Sequence, residues 1–297
     1  MRATPSKTKT KYDTFYRKNG YLIADEVIPR TDIEVLRKEA LAVFQGKGGV
    51  RGVIPGSPEE SETETLKRYL CMHYPHKISE HLCGFTRHPA IVEILQSIIG
   101  PNVKCMQTML FVKGPGNRGQ GWHQDEHFIA TRDRSLSGVW VAMDDADQEN
   151  GGLWVMPGSH KPGVLWPMAP NQDSRISGPT QSAIGFPYTE AEAVPVEVKA
   201  GSVVFFNGYL LHRSLDNRST DRFRRALVIH VMSAESLLPW NCGGRFELKD
   251  DMRDIVMVCG EDPYADKGTE QLLHPFLRGE SPDDYSKSHA TTTDKTS

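Results

Sequence analysis

Cysteine is scarce and scattered. The five thiols, Cys71, Cys83, Cys105, Cys242 and Cys259, are odd in number and none stands in a Cys-x-x-Cys pair. Such spacing excludes a zinc cage and a disulfide framework, fits reduced thiols, and leads to the expectation of a cytoplasmic chain. Long apolar runs are missing too. No stretch reaches the roughly 18 apolar residues of a membrane span, and no apolar leader follows Met1, so no membrane partner is expected. There is no excess of basic charge: 35 Lys and Arg face 38 Asp and Glu, a formal net charge of -3. Without a basic footprint, nucleic acid is not an expected partner. The final Lys-Thr-Ser is not the Ser-Lys-Leu peroxisomal address.

What is present reads in two parts. Residues 31–44 place Ile33, Leu36, Ala40, Val43 and Phe44 on one helical stripe, with Thr31 or Asp32 as the N-cap. A second helix is predicted from Pro89 to Ile99, stopped by Gly100-Pro101. From about 103 to 235 the pattern changes to short Val, Leu, Phe and Trp runs cut by Gly, Pro, Asn and Asp, as in an all-β sandwich or barrel. The clearest later strands are Val194–Val198, Ser202–Phe206 and Phe223–Met232. The expected fold is mainly β with flanking helices: a double-stranded β-helix, or cupin-like jelly roll, supported by N-terminal helices. One domain is expected over 1–280, with a polar, disordered tail over 281–297. Segments 46–64 and 161–193, rich in Gly, Ser and other loop residues, are expected to be lid loops.

Trp122-His123-Gln124-Asp125 and the distant Leu211-His212-Arg213-Ser214 carry the chemistry. On a strand, residues i and i+2 share a face, so His123 and Asp125 can meet one ion from one strand while His212 arrives from a neighbour. Two imidazoles and one carboxylate cap one face of an octahedron and leave three positions open, the donor set of non-haem Fe(II) oxygen chemistry.

The context extends the pattern. Gln107-Thr108-Met109-Leu110-Phe111-Val112-Lys113-Gly114-Pro115 precedes the pair. Ser137–Met143, Asp144-Asp145-Ala146-Asp147, Glu149-Asn150-Gly151-Gly152, Leu153–Met156 and Pro157-Gly158-Ser159-His160 follow it. Asp216-Asn217-Arg218-Ser219 and Phe223-Arg224-Arg225-Ala226-Leu227 come after His212, and Phe15–Leu22 stands near the start. In this order, over roughly residues 12 to 235, the chain resembles the phytanoyl-CoA dioxygenase family of Fe(II)/2-oxoglutarate oxygenases. The resemblance implies His123, Asp125 and His212 as Fe(II) ligands and O2 and 2-oxoglutarate as co-substrates. It implies oxidation of a small organic metabolite, most simply hydroxylation, with release of succinate and CO2. It assigns Arg224 to the far carboxylate of 2-oxoglutarate, with Arg225 as the alternative, Ser214 as an assisting hydroxyl, and Trp140 and Met109 as lining. A guanidinium suits that task because its planar fork matches a carboxylate. The lysine that the family places before its second helix is missing: Cys71-Met72-His73-Tyr74 stands there, with His73 as a substitute donor. In related halogenases a small residue replaces the carboxylate ligand, so Asp125 points to oxygen transfer. His160 and His230 are read as polar pocket or scaffold residues, and His127 and Phe128 as facing substrate. Two other readings use the same residues: a zinc hydrolase, and a jelly-roll binding protein without turnover.

Overall fold

The computed structural model describes residues 7–57, 59–176, 181–242, 244, 246–247 and 249–278. The helices are α1 (Lys7–Asn19), α2 (Arg30–Phe44), α3 (Glu62–Lys67), α4 (Glu80–Phe85) and α5 (Pro89–Ile98). The strands begin with β1 (Tyr21–Ala24), β2 (Cys71–His73), β3 (Val103–Lys113), β4 (Gln120–His123), β5 (Ser137–Ala142), β6 (Leu153–Val155) and β7 (Met168–Pro170). They continue with β8 (Gln181–Ala183), β9 (Val194–Val196), β10 (Val203–Asn207), β11 (His212–Ser214), β12 (Arg224–Ser233), β13 (Val256–Cys259) and β14 (Phe276–Arg278).

A major antiparallel sheet runs β1-β10-β5-β12-β3-β2-β14, with β13 also on β3; a minor sheet runs β4-β11-β6-β9. Strand alternation gives the major sheet two apolar faces. Leu110, Val112, Val139, Val141, Leu227 and Ile229 pack with Ile33, Leu36, Phe44, Ile91 and Leu95 of α2 and α5. The intervening residues Met109, Trp140, Ala142, Ala226 and Val228 point the other way and meet Leu153 and Val155 of the minor sheet. The second face is the barrel interior. Together the sheets form the expected jelly roll, backed by helices.

Several boundaries differ from those read in the sequence. Helix α2 starts at Arg30 behind Pro29, with no side-chain cap. Asp32, a proposed cap, instead takes His88 at 3.2 Å. The segment 46–64 ends in structure, because Ser61 and Glu64 form a capping box that opens α3. The segment 161–193 is not a plain loop: β7 and β8 pair within it, and Glu190–Glu192 is a 3-10 turn. The expected tail over 281–297 lies outside the described residues. All five cysteines are free. Among the described residues no helix is long and apolar enough to cross a membrane.

One buried histidine in this framework is sensitive to acid. His76 lies between β2 and α4, with its Nδ1 at 2.7 Å from Thr108 Oγ1. Burial, helped by Lys77, lowers its pKa to about 4. The unfolded chain takes up this proton near pH 6.5 and the folded chain only near 4, so stability falls as the pH drops through that window. His76→Asn should therefore reduce the acid loss of stability by on the order of 2–3 kcal/mol. Denaturant midpoints of both proteins at pH 7.5 and 4 check this; parallel losses would exclude His76 as the source.

Candidate active site

Two short strands of the minor sheet bring the histidines together. β4 and β11 run antiparallel with His123 opposite His212. The Nδ1 of His123 lies 2.8 Å from the Gly121 carbonyl and that of His212 3.0 Å from the Leu210 carbonyl. A carbonyl only accepts, so both Nδ1 atoms carry the hydrogen and both Nε2 atoms present lone pairs. Asp125 Oδ1 lies 3.7 Å from His123 Nε2 and 3.6 Å from His212 Nε2. These separations are too long for hydrogen bonds, yet the three ligand atoms lie within 4.8 Å of one another, a spacing that fits one shared ion. The donor set fits iron: two imidazoles and one carboxylate, all buried. Burial, with His212 adding to it, lowers the His123 pKa to about 3, so its ring is neutral. Burial opposes the Asp125 carboxylate, but His212 and His230 outweigh it and hold its pKa below the usual range.

One detail departs from the sequence reading. β4 ends at His123, and Asp125 opens a 3-10 turn, Asp125–His127. The i, i+2 relation survives because Gln124 between them stays extended, at φ -126° and ψ 127°. His230 takes the polar pocket position read for it: its Nε2 lies 3.1 Å from Asp125 Oδ2 and occupies that oxygen. Strand parity with Arg224 was the available signal. His160 sits away from the cluster, 3.1 Å from the Arg17 carbonyl, the structural role read for it. Phe128 is exposed and sets its edge on His123, with ring centroids 6.2 Å apart.

At the far end of the barrel stands a cation without a counter-ion. Arg224, the first residue of β12, is only 2% exposed, and among the described residues no carboxylate pairs with it. Its Nε has no hydrogen-bond partner. Burial lowers its pKa to about 10, still cationic near neutrality. Its flanking arginines are engaged elsewhere. Arg222 pairs with Asp147 at 2.7 Å and Glu149 at 2.6 Å, and Arg225 with Asp144 at 2.8 Å and with Glu62. Arg225, the alternative, is thereby spoken for. The Arg224 guanidinium lies 5.7 Å from the Trp140 ring centroid. Trp140 and Met109 both stand opposite Val228 on the inward face.

The turn after His212 does not lay the Arg224 strand beside β11, as the sequence reading had it. β11 pairs with β4 and β6, whereas β12 crosses to the major sheet between β3 and β5. The two strands face each other across the barrel. Lys113, which the reading missed, connects them. It is the register partner of Arg224, is buried, and has its Nζ 2.8 Å from Ser214 Oγ. Counting from Met109 by twos would have found it, since 109, 111 and 113 share the inward face. His73 lies two inward steps from this end, opposite Met109 and stacked on Phe276 at 4.4 Å.

Outward-facing neighbours of the ligands hold the long segment after β6. The Gln124 amide donates to the carbonyls of Val164 (2.9 Å) and Tyr209 (2.8 Å) and accepts from the Trp166 backbone N–H (2.9 Å). Arg213 grips Glu190 at 2.9 and 2.6 Å and lies 4.5 and 5.5 Å from the ring centroids of Trp122 and Trp154. Trp122 Nε1 also donates to Glu190, at 3.1 Å. Glu190→Ala should speed amide exchange across residues 184–192 about five- to tenfold, as a loosened ion pair allows. Hydrogen-exchange mass spectrometry reads this directly; unchanged rates would mean that the segment is held by other contacts.

Fold and cluster together define a class: double-stranded β-helix oxygenases with two histidines and a carboxylate. The sequence profile of phytanoyl-CoA dioxygenase (PhyH) matches residues 16–226, and the chain belongs to that family of Fe(II)/2-oxoglutarate oxygenases. It is similar to phytanoyl-CoA dioxygenase 1 of Oryza sativa subsp. japonica, 27% identical over 252 residues that cover 74% of this chain and 88% of that protein. Phytanoyl-CoA dioxygenase domain-containing protein 1 of Danio rerio is 36% identical over 155 residues, 51% of this chain and 52% of that one. Among solved structures, the non-heme monooxygenase ThoJ aligns with a TM-score of 0.64 at 21% identity, over 93% of this chain and 94% of that one. The non-heme alpha ketoglutarate dependent carbocyclase SnoK from nogalamycin biosynthesis aligns with a TM-score of 0.62 at 22% identity, over 86% and 97%. At these identities the structures establish the shared fold.

Proposed function

We propose that the protein is an Fe(II)- and 2-oxoglutarate-dependent dioxygenase that hydroxylates a small organic metabolite in the cytoplasm. His123, Asp125 and His212 hold the iron, and Arg224, with Ser214, Trp140 and Met109 around it, receives the far carboxylate of 2-oxoglutarate. When bound, iron supplies the activation of O2, coupled to decarboxylation of 2-oxoglutarate to succinate and CO2. The chain's own residues do the rest. Gly121 and Leu210 carbonyls fix the tautomers that leave a lone pair on both Nε2 atoms, that of His123 accepting from the Gln120 amide at 3.1 Å. His230 occupies one oxygen of Asp125 and leaves the other for the ion. Buried Trp140 and Met109 wall the co-substrate end from water.

The observation that carries this reading is the buried, unpaired Arg224 between two paired arginines. Against a zinc hydrolase stands the match to a family of Fe(II)/2-oxoglutarate oxygenases, and a non-catalytic binding protein has no use for the ligand cluster.

His123→Ala, Asp125→Ala and His212→Ala should each abolish succinate formation from 2-oxoglutarate while circular dichroism stays native. Near-normal turnover by any one of them would remove that residue from the ligand set. Zinc-loaded protein should be inactive, and activity that survived zinc replacement would favour the hydrolase.

Arg224→Ala should raise the 2-oxoglutarate requirement a hundredfold to several thousandfold, because stripping a buried carboxylate of its partner costs about 3–5 kcal/mol. Arg222→Ala touches only half-exposed ion pairs, worth about 1 kcal/mol or less, and should change the requirement little. Arg225→Ala should also leave it nearly unchanged, since that side chain faces Asp144 and Glu62. Arg224→Lys should rescue only in part. Titrations of initial rate against 2-oxoglutarate compare the four; a large effect at Arg225 and a small one at Arg224 would reverse the assignment.

A further inference from the structure

We infer that Lys113 is a positioning residue: it turns the Ser214 hydroxyl so that the hydroxyl, beside Arg224, donates to the carboxylate bound there. The inference rests on the reading of Arg224 as the co-substrate's anchor and adds the residue, on Arg224's own sheet, that holds the serine of the opposite sheet in place.

Lys113 is not itself a ligand donor. An ammonium has three hydrogens, and its Nζ has three acceptors: Leu215 O at 2.6 Å, Ser214 Oγ at 2.8 Å and Gly151 O at 3.4 Å. No hydrogen remains for a bound anion. An ammonium cannot accept, so Ser214 Oγ must be the acceptor of this bond. The serine's own hydrogen then points elsewhere, and among the described residues the hydroxyl has no other hydrogen-bond partner. The Arg224 Nε is likewise unpartnered. Two donors without acceptors, on opposite sheets, are joined through one lysine. Arg224 is its register partner on β12, and Ser214 its hydrogen-bond partner on β11.

The lysine's path is built for it. Gly151, with φ +77°, lies under the stem, and a Cβ there would stand 2.7 Å from Lys113 Cδ and 2.8 Å from the Leu215 carbonyl oxygen. The turn is held by Asn150, whose amide donates to the Asp145 carbonyl at 2.8 Å while its Oδ1 accepts from the Asp147 N–H at 2.9 Å. The Asn-Gly-Gly sequence thus acquires a reason: it makes the groove that admits a buried lysine. Burial, with the charges of Arg224 and Arg278, pushes the Lys113 pKa well below its ordinary value, while Asp216 and the three acceptors around Nζ favour the ammonium. A carboxylate arriving beside Arg224 favours it further. The donor orientation of Ser214 is therefore strongest when the slot is filled.

A double-mutant cycle separates this role from a structural staple. The readout is the calorimetric affinity of Fe(II)-loaded protein for 2-oxoglutarate under nitrogen, with melting temperature measured in parallel. Lys113→Met and Ser214→Ala should each weaken binding about tenfold or more, as loss of a hydrogen bond to a charged group does. In the Ser214→Ala background, Lys113→Met should change affinity by no more than about twofold. In air, kcat at saturating 2-oxoglutarate should stay near wild type while its KM rises. Where Lys113→Met does not fold, Lys113→Gln takes its place in the cycle and should weaken binding less, because it keeps a donor. Effects that multiply in the double variant, or a Lys113 variant that melts earlier yet binds as wild type, would overturn the inference. Arg224→Ala binding as tightly as wild type would instead overturn the co-substrate reading beneath it.

Discussion

A buried guanidinium with no carboxylate paired to it among the described residues is a costly feature, and the surrounding sequence keeps it unpaired. Leaving such a charge in a barrel costs several kcal/mol that only an arriving anion returns. Three arginines lie within four residues of one another, and acidic groups are near enough to neutralise any of them. The turn Asp144-Asp145-Ala146-Asp147 spends Asp144 on Arg225 and Asp147 on Arg222. Alternation on β12 does the selection: Arg225 points to the helix side, where Glu62 and Asp144 wait, and Arg224 points into the barrel, where among the described residues no carboxylate pairs with it. Under the proposed reading, the acidic turn keeps Arg224 available by satisfying its neighbours.

The same period of two organises the ion cluster. His123, Asp125 and His212 face inward, whereas Gln124 and Arg213, each one residue away, face outward and hold the segment after β6 at Val164, Trp166 and Glu190. Ligand geometry and the placement of that segment therefore share backbone. A shift that moved Glu190 would load β11 at Arg213, beside His212. The segment 161–193, expected as a lid, is thus fastened near both ends to residues adjacent to the ligands.

Much of this was legible in the sequence, and the reasons for the rest are physical. The inward ligands, the helical stripe of α2 and the strand runs follow from periodicity, which a single chain carries in full. Arg224 was distinguishable from Arg225 by parity and by resemblance; its unpaired state was not, since that depends on where Asp144 and Asp147 point. The placement of β12 in the opposite sheet was hidden because a turn such as Asp216–Asp221 can return a strand to its own sheet or pass it to the other. Lys113 was overlooked because a lysine ending an apolar strand ordinarily marks the edge of the core. Only the glycine groove at Gly151 and the carbonyls beyond it make a buried ammonium tolerable there. The Pro29 start of α2 escaped because Thr31 and Asp32 both have the chemistry of caps.

His230 shows how two ends of one strand serve two ends of one site. β12 carries Arg224 at its start and His230 six residues on, both inward by parity. A carboxylate with two free oxygens can chelate an ion through both and take up a position that a co-substrate needs. His230 occupies Oδ2 of Asp125 at 3.1 Å and leaves Oδ1 facing the two imidazoles. Under the proposed reading the strand thus sets the span of the co-substrate: Arg224 fixes where its far carboxylate sits, and His230, through Asp125, fixes the ion that its keto acid end must reach. A register slip of one residue on β12 would turn both side chains toward the helices and dismantle both ends of the site at once.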